Sequence, residues 1–357
     1  MRKLEDRGGP AQPLLIVDGL RKHFPLKRPM LDGGPRPVVR AVDDVSFTLP
    51  KGGTLGVVGE SGCGKSTLGR ALLRLEPITR GRLVAFGEDI TERAERHLRT
   101  LRRRTAMIFQ DPHASLDPRM TVGQSVAEPL RVHKVGDRAA RQARVEALFD
   151  RVGLPREAID RPPHAFSGGQ LQRIGIARAL ALDPAVVVAD EPVSALDVSV
   201  QAGVINLLTE LQAERKLAYV FVAHDLKVVE LFSHRVAVMY LGRVVEQAPA
   251  AELFADPRHP YTQALLAAAP VPDPTRRADA PPLIGEPPSP LAPPPGCAFH
   301  PRCPMAEAQC RTTPPTLRAD ANGHATACHL VTIEPPRALP QSQQSVDARG
   351  TPTPAIS

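Results

Sequence analysis

The residues Gly59-Glu60-Ser61-Gly62-Cys63-Gly64-Lys65-Ser66, followed by Thr67, satisfy the spacing G-x-x-x-x-G-K-[ST]. Glycines at that spacing let a loop turn its backbone N–H groups inward around a β-phosphate, and the start of a following helix adds partial positive charge. Lys65 brings a full charge against the β- and γ-phosphates, and Ser66 offers its hydroxyl oxygen to Mg²⁺. Cys63 is then a loop residue rather than a metal ligand. A second element, Val186-Val187-Val188-Ala189-Asp190-Glu191, ends an apolar run in two carboxylates. Charge at a buried strand end is costly unless a metal or a reacting water uses it. That assigns Asp190 to the Mg²⁺ shell and Glu191 to the polarisation of water. His224 follows the run Tyr219 to Ala223. Its imidazole faces the γ-phosphate if that run lies beside the strand ahead of Gly59; alone, a histidine after a strand is an ordinary loop residue.

The elements that must position these groups alternate along the chain. Leu14 to Asp18, Val38 to Leu49 and Thr54 to Val58 read as strands, the last ending in the Gly-rich turn. Leu68, Ala71, Leu72 and Leu75 then repeat at helical spacing, and Thr105 to Phe109 is another short apolar strand. From Gln110 to Leu182 the pattern is mainly helical, as in Val145, Leu148, Phe149 and Val152, which suggests an inserted helical subdomain. Ala185 to Ala189 and Tyr219 to Ala223 are buried β-branched runs separated by the helical stretch Val200 to Gln212. This is parallel α/β architecture.

Composition bounds the remainder. The 357 residues can bury a large core, which excludes a peptide-sized disulfide scaffold. A net charge of +7 suits a phosphate ligand, an anionic membrane face or nucleic acid without choosing among them. Only 4% of residues are aromatic and none is Trp, so a base-stacking groove has few side chains to use. The longest apolar runs are far below the ~18–20 residues that span a bilayer. The segment Met1 to Arg7 lacks the apolar core of a secretory signal, which makes the cytosol the expected compartment. Nineteen of the 39 prolines follow Pro270, so the composition changes there. The expected divisions are a disordered 1–12, an ATP-binding domain at 13–270 with its helical subdomain at about 111–182, a Pro-rich spacer at 271–295, a cysteine-containing region at 296–335, and a disordered tail at 336–357.

Five motifs in order across residues 59–224 carry a family resemblance. Ser167-Gly168-Gly169-Gln170 with Gln172-Arg173 resembles the signature of ATP-binding cassette (ABC) ATPases, and Ser194-Ala195-Leu196-Asp197 resembles their D-loop. Gln110 matches the Q-loop glutamine and His224 the switch histidine; Phe166 stands where Leu is usual. The resemblance implies a P-loop NTPase fold, with a RecA-like core, an antiparallel β subdomain and an inserted helical subdomain. It implies ATP and Mg²⁺ as ligands, with Ser66, Gln110 and Asp190 around the metal. Ser167, Gly168 and Gly169 open a helix and so form a second anion site, which in this family closes on ATP held by the opposite subunit. For adenine, Phe24 is the best match and His23 the next, against the plainer role of a packed core Phe. A DNA-repair ATPase of this fold needs a long coiled-coil insertion, for which Gln110 to Ser167 is too short. A translation-associated ABC protein carries two cassettes in one chain. The basic cluster Arg99, Arg102, Arg103 and Arg104 reads better as a solvated helix than as a nucleic-acid contact.

Arg258 to Leu266 and Gly296 to Pro304 are similar to segments of the dipeptide/oligopeptide importer ATPases, a group that includes nickel importers. Within it the chain resembles the second, F-type subunit. The likeness implies a D-type partner ATPase, two permeases and an extracytoplasmic solute-binding protein, with this chain peripheral on the cytoplasmic face of the membrane and no nucleic acid involved. Peptide, nickel and another small solute stay open. Cys297, Cys303, Cys310 and Cys328, spaced C-x5-C-x6-C-x17-C in a chain read as cytosolic, suggest a metal site rather than disulfides. A Cys₄ set suits Zn²⁺ or a [4Fe–4S] cluster, and the absence of a C-x2-C knuckle leans toward iron–sulfur. Members of the group that share this cysteine pattern are similar in carrying such a cluster. His300, His324 and His329 could instead complete a mixed zinc site, and four reduced structural cysteines are the plain alternative.

Overall fold

The structure, a computed structural model, describes residues 12–26, 36–194, 196–268 and 285–332. The terminal segments read as disordered and most of the Pro-rich spacer lie outside them. Three strands, β1 (Leu15–Pro25), β2 (Val38–Leu49) and β3 (Thr54–Val58), lead into α1 (Lys65–Leu72). Next come β4 (Arg80–Ala85), β5 (Glu88–Asp89), α2 (Arg99–Arg104) and β6 (Thr105–Ile108). Three helices follow, α3 (Val122–Val132), α4 (Arg138–Arg151) and α5 (Gly168–Ala179). The chain then runs through β7 (Val186–Asp190), α6 (Val198–Arg215), β8 (Ala218–Val222), α7 (Leu226–Phe232), β9 (Arg235–Tyr240) and β10 (Arg243–Pro249). It closes with α8 (Ala250–Ala255), α9 (Pro260–Ala267), α10 (Ala308–Thr312), β11 (Arg318–Ala319) and β12 (Ala325–Thr326).

Two sheets result. One is antiparallel with order β2-β1-β4-β5; the other has order β11-β12-β10-β9-β3-β8-β7-β6, with β9, β3, β8, β7 and β6 parallel. All five residues of β3, β7 and β8 are buried, as a parallel sheet covered on both faces requires. The pleat divides their side chains between two cores. Val186, Val188, Val220 and Val222 pack with β1, β2 and α1, whereas Val187, Ala189, Tyr219 and Phe221 pack with α3 to α7. Phe166 is buried in the second core, so the departure from Leu fills an apolar position and leaves the neighbouring Ser-Gly-Gly free of it. Arg99, Arg102, Arg103 and Arg104 all lie on α2, where Arg102 pairs with Glu95 and Arg104 lies over the Phe86 ring.

The C-terminal segment joins the main sheet. β12 pairs with β10 through Glu246↔Thr326 and Gln247↔Ala325, and Phe299 is buried against Tyr240 and Tyr261. Glu246, fully buried on β10, accepts from the backbone N–H groups of Arg258 (2.7 Å) and His259 (3.0 Å) and lies 2.7 Å from His324 Nε2. Burial raises its pKa, but the His324 and backbone hydrogen bonds outweigh that and hold the carboxyl below the usual range. A charge buried on a strand is thereby paired at both oxygens, fastening α9 and the β11–β12 turn to β10.

Candidate active site

The side chains expected to be catalytic come from the C-terminal ends of adjacent parallel strands. β8 pairs directly with β3 and β7 pairs with β8, so the loops after β3, β7 and β8 lie side by side. Gly59 to Gly64 connect β3 to α1, and two of these glycines cannot be replaced without deformation. Gly64 has φ +108°, and a Cβ there would lie 1.8 Å from the Ala41 carbonyl oxygen; at Gly59, φ +148°, it would lie 2.2 Å from that of Met239. Lys65 opens α1 and is buried. Its Nζ donates to the carbonyls of Gly59 (2.7 Å) and Glu60 (3.0 Å), which folds the side chain back over the loop it would help fill with phosphate. Cys63 is buried beside it and burial pushes its thiol pKa up, as for an inert loop cysteine.

Ser66 Oγ donates to Asp190 Oδ1 at 2.9 Å. Asp190 is 2% exposed, and burial raises its carboxyl above the usual range against the pull of that hydroxyl. A nearly buried carboxylate next to a hydroxyl oxygen is a hard-oxygen pair suited to Mg²⁺. A cavity of about 390 Å³ beside it is lined by Arg70, Gln110, Asp111 and Asp190 among others. Glu191, one residue on, sits at φ +46° with its N–H donating to the Val222 carbonyl. Gln110 Nε2, from the turn after β6, donates to Glu191 Oε2 at 2.9 Å, and His224 Nδ1 lies 3.5 Å from the same oxygen. Gln110, Glu191 and His224, which are 81 and 33 residues apart in sequence, therefore meet at one carboxylate oxygen.

The other expected ligand residues lie in two further places. Ser167 is the N-cap of α5: its hydroxyl accepts from Gln170 N (3.4 Å) while Gln170 Oε1 accepts from Ser167 N (3.0 Å). Gly168 and Gly169 follow on the same first turn, and a Cβ on Gly169 would lie 2.6 Å from Val200 of α6. Asp197 caps α6 by accepting from Val200 N, which holds its carboxyl below the usual range. Phe24 is half-buried on β1, paired with Val39 of β2, with Lys22 Nζ 4.4 Å from its ring centroid. Ala41, two residues beyond Val39, touches the Gly64 position, which places Phe24 on the strand pair that flanks the loop. His23 is engaged elsewhere, with Nε2 3.1 Å from Asp43 Oδ1.

The four C-terminal cysteines gather in one neighbourhood. The Cys297 N–H donates to the Cys310 carbonyl at 2.8 Å. Burial pushes the Cys297 thiol up to about 11, with Cys310, Cys328 and Cys303 adding to the rise. Feeling a neighbour's charge is a looser condition than ligation, for which zinc–sulfur bonds need ~2.3 Å. Among the described residues no group of three or more His, Cys, Asp or Glu side chains is disposed to hold a metal ion. The expected [4Fe–4S] cluster or Zn²⁺ thus finds no support in this arrangement. The mixed site fares no better: His324 is bound to Glu246, His300 Nδ1 to the Cys297 carbonyl and His329 Nε2 to the Thr313 carbonyl.

Two groups at the phosphate loop carry no signal in the local sequence. Arg302 makes a two-pronged ion pair with Glu60, and Tyr261 Oη accepts from the Glu60 N–H at 2.9 Å. These partners stand 242 and 201 residues away, and no spacing rule connects them.

Comparison with known proteins agrees with the geometry. Residues 42–194 match the family model described as ABC transporter, and residues 245–310 match the oligopeptide/dipeptide transporter C-terminal region. The chain is 55% identical over 317 residues to a probable peptide ABC transporter ATP-binding protein, y4tS, of Sinorhizobium fredii, covering 89% of this chain and 90% of that one. It is 50% identical to the dipeptide transport ATP-binding protein DppF of Escherichia coli (90% and 95% covered). To the oligopeptide transport ATP-binding protein AppF of Bacillus subtilis it is 49% identical (89% and 98% covered). Among solved structures it resembles the dimeric post-hydrolysis state of the ATP-binding cassette MJ0796 bound to ADP and Pi, with TM-score 0.60 and 26% identity over 66% of this chain and 98% of that chain. It also resembles cbiO1 from Clostridium perfringens, with TM-score 0.58 and 27% identity over 69% and 92%. With a phosphate loop, two strand-end carboxylates and a sheet order that brings them together, the chain belongs to the ATP-hydrolysing subunits of ABC transporters, within the oligopeptide/dipeptide transporter family.

Proposed function

We propose that the chain powers import of di- and oligopeptides as the F-type member of a pair of ATPases, peripheral on the cytoplasmic face of two permeases fed by an extracytoplasmic solute-binding protein. The meeting of Gln110 and His224 on Glu191, beside the Ser66–Asp190 pair, carries the reading. In it, the amides of residues 59 to 67 and Lys65 hold the β- and γ-phosphates, with Phe24 against adenine. Ser66, Asp190 and Gln110 would hold Mg²⁺, which supplies charge against the phosphate oxygens. Glu191 takes a proton from water as the water oxygen bonds to the γ-phosphorus and the bond from that phosphorus to the bridging oxygen breaks, leaving ADP and phosphate. His224 and Gln110 orient the carboxylate. Ser167, Gly168, Gly169 and Gln170 at the start of α5 close on the partner's ATP, and Asp197 sits at the seam; loss of the shared γ-phosphate reopens the pair. A metal at the four cysteines has no part in this reading.

Membrane vesicles bearing the complete transporter test it. ATP-dependent uptake of a labelled dipeptide is expected, and Ser167→Arg in this chain alone should depress hydrolysis of the ATP held by the partner's loop. Cooperative turnover by the purified chain without any partner overturns the paired arrangement, and ATP hydrolysis that no peptide stimulates overturns the substrate.

A further inference from the structure

Glu60, the second residue of the phosphate loop, is held at three of its groups. Its N–H donates to Tyr261 Oη (2.9 Å), its carbonyl accepts from Lys65 Nζ (3.0 Å), and its carboxylate receives Arg302 Nη1 (2.7 Å) and Nη2 (2.9 Å). The Arg302 side chain is 5% exposed and that of Glu60 25%. Arg302 ends the short turn His300–Arg302, between Cys297 and Cys303, and Tyr261 lies in the first turn of α9 with its ring against Tyr240 and Phe299. Both anchors therefore come from the part of the chain that lies outside the nucleotide fold's own motifs.

The chemistry gives this contact a purpose. A phosphate loop works by presenting N–H groups and one lysine to an anion, and a carboxylate in that loop opposes the anion through space. A fork-to-fork guanidinium pair both neutralises that charge and fixes its direction, and the tyrosine hydroxyl holds the peptide N–H just ahead of Ser61. Lys65 is bonded to the carbonyl of the same residue, so displacement of Glu60 also displaces the lysine.

We propose that Arg302, seconded by Tyr261, is a positioning residue of the ATP site, through which the cysteine-bearing C-terminal segment sets the affinity of the phosphate loop for nucleotide. The proposal rests on the ATP-site reading above. It makes the C-terminal segment a determinant of nucleotide binding in this chain.

Equilibrium binding of a fluorescent ATP analogue to the full-length chain with Mg²⁺ tests it. Wild type should bind and Lys65→Ala should not; if wild type does not bind, the ATP-site reading itself falls. Arg302→Ala should weaken binding on the order of tenfold, the loss of one charge-assisted pair, and Arg302→Lys, which keeps charge without the fork, by less. In a Glu60→Gln background the same Arg302→Ala change should cost under about threefold, because the charge it answers is gone. In the complete transporter KM for ATP should rise with kcat nearly kept, since contact with bound phosphate is lost equally in ground and transition states. A purely structural Arg302 gives another pattern, a lowered melting temperature with unchanged affinity in the folded protein, and that overturns the proposal. So does an equal cost of Arg302→Ala in both backgrounds. Should Arg302→Ala fail to fold, Arg302→Lys and Tyr261→Phe carry the measurement, and wild-type affinity in both overturns it.

Discussion

Glu191→Gln is the perturbation that separates chemistry from binding at this site. The substitution keeps size and shape, and glutamine retains an oxygen that can accept from Gln110 Nε2, which now reaches Glu191 Oε2 at 2.9 Å. The backbone is unaffected as well: the Glu191 N–H donates to the Val222 carbonyl, and the φ of +46° is no harder for Gln than for Glu. What disappears is the carboxylate in reach of both Gln110 and His224, and with it the proposed acceptor for the water proton. Positioned general bases contribute ~10²–10⁴ in rate, so kcat should fall by that factor, equivalent to about 3–5 kcal/mol of barrier. Lys65, Ser66 and Asp190 are untouched, so nucleotide affinity should stay within about twofold of wild type. Stopped-time phosphate release from the complete transporter, with nucleotide binding to the same preparation, gives both numbers. Turnover within about tenfold of wild type refutes Glu191 as the base. A loss of affinity matching the loss of rate shows that the residue binds nucleotide rather than activating water.

Gly64→Ala should abolish nucleotide binding while leaving a folded chain, since its Cβ would sit 1.8 Å from the Ala41 carbonyl oxygen at φ +108°; calorimetric titration with ATP checks it, and affinity near wild type contradicts the close approach. His259 is buried and neutral, its pKa pushed down from 6.5 to about 4 chiefly by desolvation, so the unfolded chain protonates first and stability falls as pH drops from about 6.5 toward 4 and is flat above. Near pH 5 the loss is roughly 2 kcal/mol. His259→Asn, which can still cap α9 by accepting from Tyr261 N as His259 Nδ1 does, should flatten that slope in urea denaturation, and an unchanged slope assigns the titration elsewhere.

The candidate site is legible in the sequence where it is compressed into contiguous residues. Lys65 and Ser66 are readable because an apolar strand ends at Val58 just before the loop, and Asp190 and Glu191 because they terminate the run Val186 to Ala189. The sequence places His224 only on condition of strand order, and the parallel pairing of β8 with β3 meets that condition. The antiparallel sheet was half legible. β1 reads as a strand only to Asp18, yet extends to Pro25 through register shifts that absorb Gly19 and the polar Arg21 and Lys22. β4 begins Arg-Gly-Arg, with three exposed residues, and carries no apolar alternation at its start. Polar residues on an exposed face hide a strand from any hydrophobic pattern.

The C-terminal segment shows the other limit, because the interactions that fasten it to the rest of the fold are long-range. Glu246 sits among Val, Val and Gln on β10, where alternation says surface; it is fully buried because two backbone N–H groups ahead of α9 and the His324 ring satisfy it. Cysteine spacing has the same weakness. It reports donor types, and the fold decides whether the sulfurs close to bonding distance or pack as thiols, as at Cys297 and Cys303, where burial and then neighbouring thiols raise the pKa. The same segment sends Arg302 across 242 residues of sequence to Glu60, a contact that neither partner's surroundings advertise. An isolated arginine and an isolated glutamate read as solvated charges. Arg302, almost wholly buried against a carboxylate in the phosphate loop, ties a region without nucleotide motifs to one that consists of them.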